Sequence, residues 1–401
     1  RRSTSDNTET VSEKAASLIY YTWDDEESYI DPMVRSFNSC NPDITVTVHY
    51  LSSDDYDKSI ISMVRSGQSI DLIGIRGNSQ LARYHTEKML ADITSDIRNS
   101  DIDATAYGNM YNNITINGKY YAMPTRSTCW ALLYNKDIFD ARGIDYPGQL
   151  TWDEYGALAK KLKGTDSNGE TVWGGYIATW AFNFAGIQNS NYLYDDDQTY
   201  QRKSLELLNQ FMNIDKSHEP VQEMISSGES WIDVFMDGQA AMMPMGEWAA
   251  GMIMSREEAC NSDINWDYAP MPIFKGMNPD TTWGQYQYTG ITSTCKNTDA
   301  AFRFLKFVSG EQGAEIYAEH GMLSAYNTET IQDDYKNTVG DKNVEVFFNA
   351  SRIQEIPLYA KYDQINTLFT SLSTEYLEGK RSLDSTMKLF DEKRLKIIND
   401  Q

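Results

Sequence analysis

Ser17-Leu-Ile-Tyr-Tyr-Thr-Trp23 opens the stretch that decides the fold. It is a short apolar run rich in β-forming residues, which is typical of a buried strand. Apolar positions at helical spacing follow from Tyr29 to Phe37, and Ile44 to Leu51 predicts a second strand. A second helix is expected to end at Gly67, and Ile70 to Ile75 predicts a third strand. The order β-α-β-α-β with short connections predicts a parallel sheet with right-handed crossovers, and so an α/β fold.

Three loops follow these predicted strands. They are Trp23-Asp24-Asp25, Ser52-Ser53-Asp54-Asp55 and Arg76-Gly77-Asn78. In open parallel sheets, ligands bind beyond the carboxyl ends of the strands. Each loop supplies hydrogen-bonding groups, and the first also supplies a tryptophan. The aspartates suit helix caps equally well, so Asp54 and Asp55 are also expected to cap the second helix. The three loops together predict a shared binding cleft.

The charge balance excludes one large class of function. The 401 residues carry 35 Lys and Arg against 58 Asp and Glu, a formal net charge of −23. A protein that binds a phosphate backbone needs the opposite sign, so nucleic acid is excluded as a partner. Hydrophobic residues make up 41% and aromatic residues 12%, with 26 Tyr against 14 Phe. An excess of tyrosine suits recognition surfaces that are both apolar and hydrated, and half-exposed core edges equally.

Later segments continue in α/β style. Thr151-Trp-Asp-Glu154 predicts a capping box that opens a helix running to Leu162. Further helices are predicted over residues 300–308, 312–319, 368–377 and 383–398. Residues 1–14 are polar and predict a disordered leader or tether. Because no flexible linker divides the remainder, we expect two lobes whose segments cross back and forth.

Motifs for catalysis or metal binding are absent from the sequence. It contains no G-x-S-x-G, no P-loop and no G-x-G-x-x-G. Cys40, Cys129, Cys260 and Cys295 lie far apart and form no C-x-x-C, so no zinc site is expected. We expect no cofactor, no metal and no catalytic residue. Paired carboxylates for glycoside hydrolysis stay open, because 58 acidic residues make close pairs common.

Four stretches in consistent order resemble the family-1, maltose-binding-like solute-binding proteins of carbohydrate ABC importers. Tyr120 to Phe139 resembles the family's Y-x-x-P…LYYNKDLF segment, and Thr151-Trp-Asp-Glu-Tyr155 follows at the usual distance. Phe235 to Trp248 is similar to F-x-x-G-x-A-A-M-x-x-x-G-x-W, and Asn297 to Gly321 is similar to the family's later helical segment. Glu247 departs from the pattern, since small or hydroxyl residues are common there.

The resemblance implies a two-lobed periplasmic-binding-protein type II fold with interleaved domains and a hinge of crossing segments. The crossings are expected near 124–129, near 288–291 and around 326–337. Lobe 1 would comprise residues 15–126 plus 290–330. Lobe 2 would comprise residues 127–289 plus 331–401.

The resemblance also implies a carbohydrate ligand, since aromatic rings stack on the C–H face of a sugar while polar side chains pair with its hydroxyls. The family's positions match Trp23, Asp24, Asn78, Arg126, Trp180, Glu247, Trp248 and Trp283. Gln285, Tyr286 and Tyr359 are further candidates, and the three loops add Asp25 and Asp55. Trp152 is expected to be structural.

The resemblance implies that the protein captures a carbohydrate, an oligosaccharide above all, in the cleft by hinge closure. It would then deliver this ligand to the membrane permease of an ABC transporter. The protein would be a monomer without enzyme activity, outside the cell and lipid-anchored to the outer face of the cytoplasmic membrane, as in Gram-positive bacteria. Two alternatives stay open. One is a glycoside-active enzyme that uses the same cleft. The other is the same fold binding a peptide, a polyamine or an acidic sugar. Arg76 and Arg126 near the cleft keep the acidic ligand open.

Overall fold

The computed structural model describes residues 15–400. The predicted leader at residues 1–14 lies outside the described residues. The strands are β1 (Ala16–Trp23), β2 (Ile44–Leu51), β3 (Leu72–Ile75), β4 (Met123–Ser127), β5 (Trp130–Asn135), β6 (Gly164–Thr165), β7 (Thr171–Gly175), β8 (Ala240–Gly246), β9 (Trp266–Ala269), β10 (Thr281–Gly284), β11 (Tyr286–Ile291) and β12 (Ser351–Gln354).

The helices connect these strands, in places several in succession. They are α1 (Glu27–Cys40), α2 (Tyr56–Arg65), α3 (Asn78–Thr86), α4 (Thr94–Arg98), α5 (Lys136–Arg142), α6 (Trp152–Leu162), α7 (Phe184–Gln188), α8 (Thr199–Asn209), α9 (Val221–Ser227), α10 (Trp231–Met236), α11 (Trp248–Cys260), α12 (Thr298–Ser309), α13 (Glu311–Glu319), α14 (Glu329–Val339), α15 (Glu345–Phe348), α16 (Tyr362–Leu377) and α17 (Leu383–Asn399).

The predicted β-α-β-α-β unit is present and supplies three of the five strands of the first sheet. That sheet has the order β2-β1-β3-β11-β4, in which β1 pairs in parallel with β2 and with β3. β11 joins β3 in the antiparallel sense and also pairs with β4. The sheet is therefore mixed rather than purely parallel. Its antiparallel half comes from chain segments that return from elsewhere in the sequence, which local periodicity does not reveal.

A second five-stranded sheet has the order β6-β7-β8-β5-β9, and β10 pairs separately with β12. Thr151 caps α6 as predicted: its hydroxyl accepts the Glu154 N–H, and the Glu154 carboxylate accepts the Thr151 N–H. Asp55 is the N-cap of α2, but its side chain makes no capping hydrogen bond, contrary to expectation.

Each large sheet lies in its own hydrophobic core, so the α/β fold with two lobes is confirmed. The predicted residue ranges of the lobes stay a prediction, and two groups of residues pack differently from it. Tyr286 and Tyr288 of β11 pack in the first core, although the prediction assigns them to the second lobe. Ala318 and Leu323 pack in the second core, although the prediction assigns them to the first lobe.

The lobes are joined where three chain segments lie side by side. β4 leads into β5, β10 leads into β11, and the chain after α13 leads into α14. Hydrogen bonds join the three segments: Ser127 N–H to the Leu323 carbonyl at 3.1 Å, Thr128 N–H to the Gln285 carbonyl at 2.8 Å, and Ala325 N–H to the Thr125 carbonyl at 3.0 Å.

Gly284 permits the close approach of two of these segments. A Cβ at this position would lie 1.9 Å from the Thr128 carbonyl oxygen. Gly284→Ala therefore forces the backbones apart, and we expect it to lower the free energy of unfolding by about 1–3 kcal/mol. Urea denaturation measures the loss. Gly148→Ala is the matched control, because a Cβ there meets no atom within 4 Å. Equal stability of the two variants would contradict the prediction.

Candidate functional site

A cavity of about 510 Å³ lies between the two lobes, beside the three crossing segments. This volume is in the range of small-molecule sites. We call this cavity the cleft. Its walls come from both lobes, and they are formed by Trp23, Asp25, Tyr29, Arg126, Thr128, Trp130, Trp180, Trp248, Met252, Gln285, Gln287, Met322 and Glu355.

Three tryptophans of the second lobe form an aromatic surface in the cleft. Trp130 begins β5, Trp248 begins α11, and Trp180 lies in a short 3-10 turn. The Trp130 ring centroid lies 5.3 Å from that of Trp180 and 5.4 Å from that of Trp248. Trp180 is 46% exposed, whereas Trp130 is 2% exposed. The other two rings therefore hold Trp180 in place while leaving much of its surface free for a ligand.

The first lobe contributes the three loops that follow β1, β2 and β3, and the structure brings them together. The Ser53 N–H donates to Asp24 at 3.0 Å, and the Ser53 hydroxyl donates to Asp25 at 2.8 Å. The Arg76 guanidinium donates to the Ser53 carbonyl and lies over the Trp23 ring. Arg76 therefore stabilises the loops themselves, and it is not among the residues that line the cleft.

Arg126 connects the two lobes at the base of the cleft. One guanidinium nitrogen donates to the Tyr29 hydroxyl at 3.2 Å and to the Gln287 amide oxygen at 3.1 Å. The other lies 3.4 Å from Glu247 of the second lobe. Arg126 is 6% exposed and Glu247 is fully buried. The guanidinium charge is thus largely engaged by protein groups.

Three carboxyl groups in or behind the cleft have a raised pKa. Burial raises the pKa of Glu26, of Glu247 and of Glu355 to about 7 in each case. Arg126 offsets part of the effect at Glu26 and Glu247. The Trp130 indole N–H donates to Glu355 at 3.3 Å and offsets part of it there. Glu355 is therefore an acceptor in the cleft whose charge depends on pH near neutrality.

These pKa values predict how stability changes with pH. Between about pH 5 and 8 the folded protein holds protons that the unfolded chain has released, so the free energy of unfolding falls as pH rises. Glu355→Gln keeps an acceptor for Trp130 but removes the charge, so its stability should fall less steeply than that of the wild type. Urea denaturation across this pH range measures the difference.

The control for this measurement is Glu170→Gln, because Glu170 lies exposed on a turn away from the cleft. We expect it to reproduce the wild-type slope. An unchanged slope in Glu355→Gln would show that burial of this carboxyl group does not penalise its ionised form.

Six of the thirteen predicted ligand-binding residues line the cleft. They are Trp23, Asp25, Arg126, Trp180, Trp248 and Gln285. Their direct contact with ligand stays a prediction. Glu247 lies behind Arg126, and Trp283 is buried behind Trp130 with ring centroids 5.5 Å apart.

The other five predicted residues lie outside the lining of the cleft. The Asp24 carboxylate accepts the Ser53 N–H, and Asp55 is the N-cap of α2. The Asn78 amide donates to the Ile356 carbonyl, and Tyr286 is buried with its hydroxyl donating to the Tyr107 carbonyl. Tyr359 packs on Tyr194.

Seven residues that line the cleft are missing from the sequence-based prediction. They are Tyr29, Thr128, Trp130, Met252, Gln287, Met322 and Glu355. The sequence could have indicated Trp130 as a cleft residue, because it lies four residues after Arg126, where the first crossing segment enters β5. Nothing in the sequence indicated Glu355, because its partner Trp130 is 225 positions away along the chain. Among the described residues, no group of three or more His, Cys, Asp or Glu side chains is arranged to hold a metal ion, and all four cysteines are unpaired.

Two α/β lobes, three crossing segments and an aromatic cleft between them define a two-lobed ligand-binding protein. Residues 22–315 match the family described as bacterial extracellular solute-binding protein. The chain belongs to this family, which is one of binding proteins rather than enzymes, and solute binding is its function. Within the described part of the chain, no helix combines the length and apolarity needed to cross a membrane.

The chain is similar to several known proteins over most of its length. The arabinooligosaccharide-binding protein of Bacillus subtilis is 24% identical over 375 residues, covering 88% of this chain and 82% of that protein. A sugar transporter of Rhizobium etli, solved in an open conformation, is 25% identical with a TM-score of 0.84, covering 96% of this chain and all of that one. An ABC substrate-binding protein of Listeria monocytogenes, solved with cycloalternan, shares the fold at 24% identity, a TM-score of 0.84 and the same coverage.

Proposed function

We propose that this protein binds a neutral oligosaccharide in the cleft and delivers it to the permease of an ABC transporter. The observation that carries the proposal is the aromatic surface of Trp180, Trp130 and Trp248 opposite polar groups of the first lobe. Sugars need both kinds of contact, since their C–H faces stack on aromatic rings and their hydroxyls pair with amides and carboxylates.

The charges of the cleft favour a neutral ligand over an acidic one. Arg126 is engaged by Glu247, and Arg76 by the Ser53 carbonyl and the Trp23 ring. Asp25 and Glu355 add carboxyl groups to the lining. An anionic sugar would therefore meet carboxyl groups, while the guanidinium groups of Arg76 and Arg126 already have partners within the protein.

The similar proteins support a carbohydrate ligand. One is an arabinooligosaccharide-binding protein, and another was solved with cycloalternan. A third structure with the same fold, at a TM-score of 0.76, contains mannotriose. We therefore place the ligand of this chain among the oligosaccharides.

Each lobe offers part of the contacts, so the ligand binds the closed arrangement of the lobes more tightly than the open one and shifts the population towards it. The permease then recognises the closed form. We propose further that the protein is a monomer held by a lipid anchor outside the cell; the description of its family as extracellular supports the location.

A thermal-shift panel tests the proposed ligand class. It comprises arabino-, manno- and malto-oligosaccharides, oligogalacturonates, a tripeptide and spermidine. A ligand at about 100 times its Kd adds about 2.7 kcal/mol to the free energy of unfolding. We expect a shift with one neutral series and no products after incubation. A shift with spermidine, the peptide or the oligogalacturonates alone would overturn the proposal, and released sugar products would indicate an enzyme.

A further inference from the structure

A second cavity, of about 470 Å³, continues from one end of the cleft. The two cavities share the lining residues Asp25, Tyr29, Met252 and Met322. We call the second cavity the outer groove. Because they share these residues, the two cavities adjoin and form one channel. The shared residues come from both lobes, so the channel follows the boundary between the lobes.

The walls of the outer groove are two helices from opposite lobes. Ser28 near the start of α1 lies on one side, and Ser255 and Arg256 of α11 lie on the other. Gly251 of α11 sits against the turn after α13, where a Cβ would lie 2.9 Å from the His320 carbonyl oxygen. Gly251, Met252 and Met322 all line the outer groove, so this close contact between α11 and the turn is part of its wall.

The chemistry of the outer groove suits a sugar chain. Methionine side chains adapt their shape to an apolar face, and Met252 is 37% exposed. Ser28, Ser255 and Asp25 provide donors and acceptors for hydroxyl groups. The positive charge of Arg256 is paired with Asp233 at 2.7 Å, so an anionic group is not favoured here either.

Glu355 lines the cleft but not the outer groove, and the segment that it begins contacts the first lobe. Directly after Glu355, the Ile356 carbonyl accepts a hydrogen bond from the Asn78 amide of the first lobe at 2.9 Å. A few residues later, Asp363 accepts from the Ser79 hydroxyl and from the Gln80 amide, both at 2.6 Å. We call residues 355–363 the strap, because this segment follows β12 and reaches the first turn of α3.

We propose that the cleft binds a linear oligosaccharide by one of its ends. The terminal sugar units lie against the aromatic surface beside Glu355 and the strap, and the rest of the chain leaves over Met252 through the outer groove. This inference rests on the proposed function and adds a direction to it: chain length is limited at the strap and tolerated at the outer groove.

Chain-length dependence tests the direction. Calorimetry with arabino-, manno- and malto-oligosaccharides of two to six units should show, for the series that binds, a Kd that falls by at least roughly tenfold between the dimer and the tetramer, which is about 1.4 kcal/mol. Ser255→Trp fills the outer groove without touching the cleft. It should bind the dimer as the wild type does and lose the gain with length.

Ala259→Trp is the matched control, because Ala259 is exposed on the same helix and outside the lining of both cavities. It should keep the wild-type length dependence. Ser28→Trp blocks the outer groove from the opposite lobe and should reproduce Ser255→Trp. Circular dichroism of each variant confirms that it is folded.

End-labelled tetramers provide a second measurement. A bulky aromatic label on one end of the chain should leave Kd nearly unchanged, while the same label on the other end should raise it at least roughly tenfold. Equal tolerance of both labels, or full length dependence in Ser255→Trp and Ser28→Trp, would overturn the inference while leaving the proposed function standing. Failure of every oligosaccharide to bind the wild type would overturn both.

Discussion

We expect Trp180→Ala to weaken oligosaccharide binding by at least roughly 30-fold, which corresponds to about 2 kcal/mol of binding free energy. Trp180 is 46% exposed and lines the cleft, so its ring is the most accessible of the three that form the aromatic surface. Truncation removes the stacking face, whereas Trp130 and Trp248 stay packed on each other with centroids 5.4 Å apart. Calorimetry with the oligosaccharide series that stabilises the wild type measures the loss.

Tyr200→Ala is the control for the aromatic surface. Tyr200 is 37% exposed, comparable with Trp180, but it packs on Phe274 and lies outside the lining of the cleft. It should bind ligand as the wild type does. Equal affinity of Trp180→Ala and wild type would mean that the aromatic surface is not where the sugar lies, and the proposed binding mode would fail.

We expect Arg126→Met to lower the free energy of unfolding at pH 8 by about 3–5 kcal/mol, the usual cost of removing one partner from a buried ion pair. The variant leaves the carboxyl group of Glu247 fully buried without its cation, so at pH 8 it must either stay charged without a partner or take up a proton, and Tyr29 and Gln287 lose a donor. At pH 5 the loss should be smaller, because burial raises the pKa of Glu247 to about 7 and the carboxyl group is then neutral. Urea denaturation at both pH values measures the two losses.

Two further variants isolate the buried pair. Arg126→Met combined with Glu247→Met should recover much of the loss, because the uncompensated charge is removed. Arg202→Met breaks exposed ion pairs with Glu206 and Asp384, and should cost no more than about 1 kcal/mol. If the single Arg126→Met variant is as mild as Arg202→Met, the Arg126–Glu247 contact does not stabilise the joined lobes.

Local patterns predict much of the secondary structure because neighbouring residues encode it. The run that ends at Trp23 is a strand, Thr151 caps α6, and the helix predicted over 383–398 is observed as α17 (Leu383–Asn399). Strand β3 begins at Leu72, two residues later than predicted. Bounds shift in this way because the pairing partner decides where a ladder ends, and that partner is distant in sequence.

The orientation of individual side chains needs more than local pattern. Trp283 and Trp130 are both tryptophans beside a crossing segment, and the structure buries the first behind the second. Arg76 and Arg126 both keep an acidic ligand open when only the sequence is considered. In the folded protein each is engaged by groups from other segments, which supports the proposal of a neutral ligand.

By itself, the sequence determined the alternation of strands and helices, the acidic character that excludes nucleic acid, and the four motifs that resemble a solute-binding family. These properties depend on composition and on residues close together along the chain. The tertiary structure alone decided which side chains share the cleft, since Glu355 and Trp130 are 225 positions apart. It also decided where the channel is bounded and where it continues, because the strap and the outer groove exist only where the two lobes pack against each other.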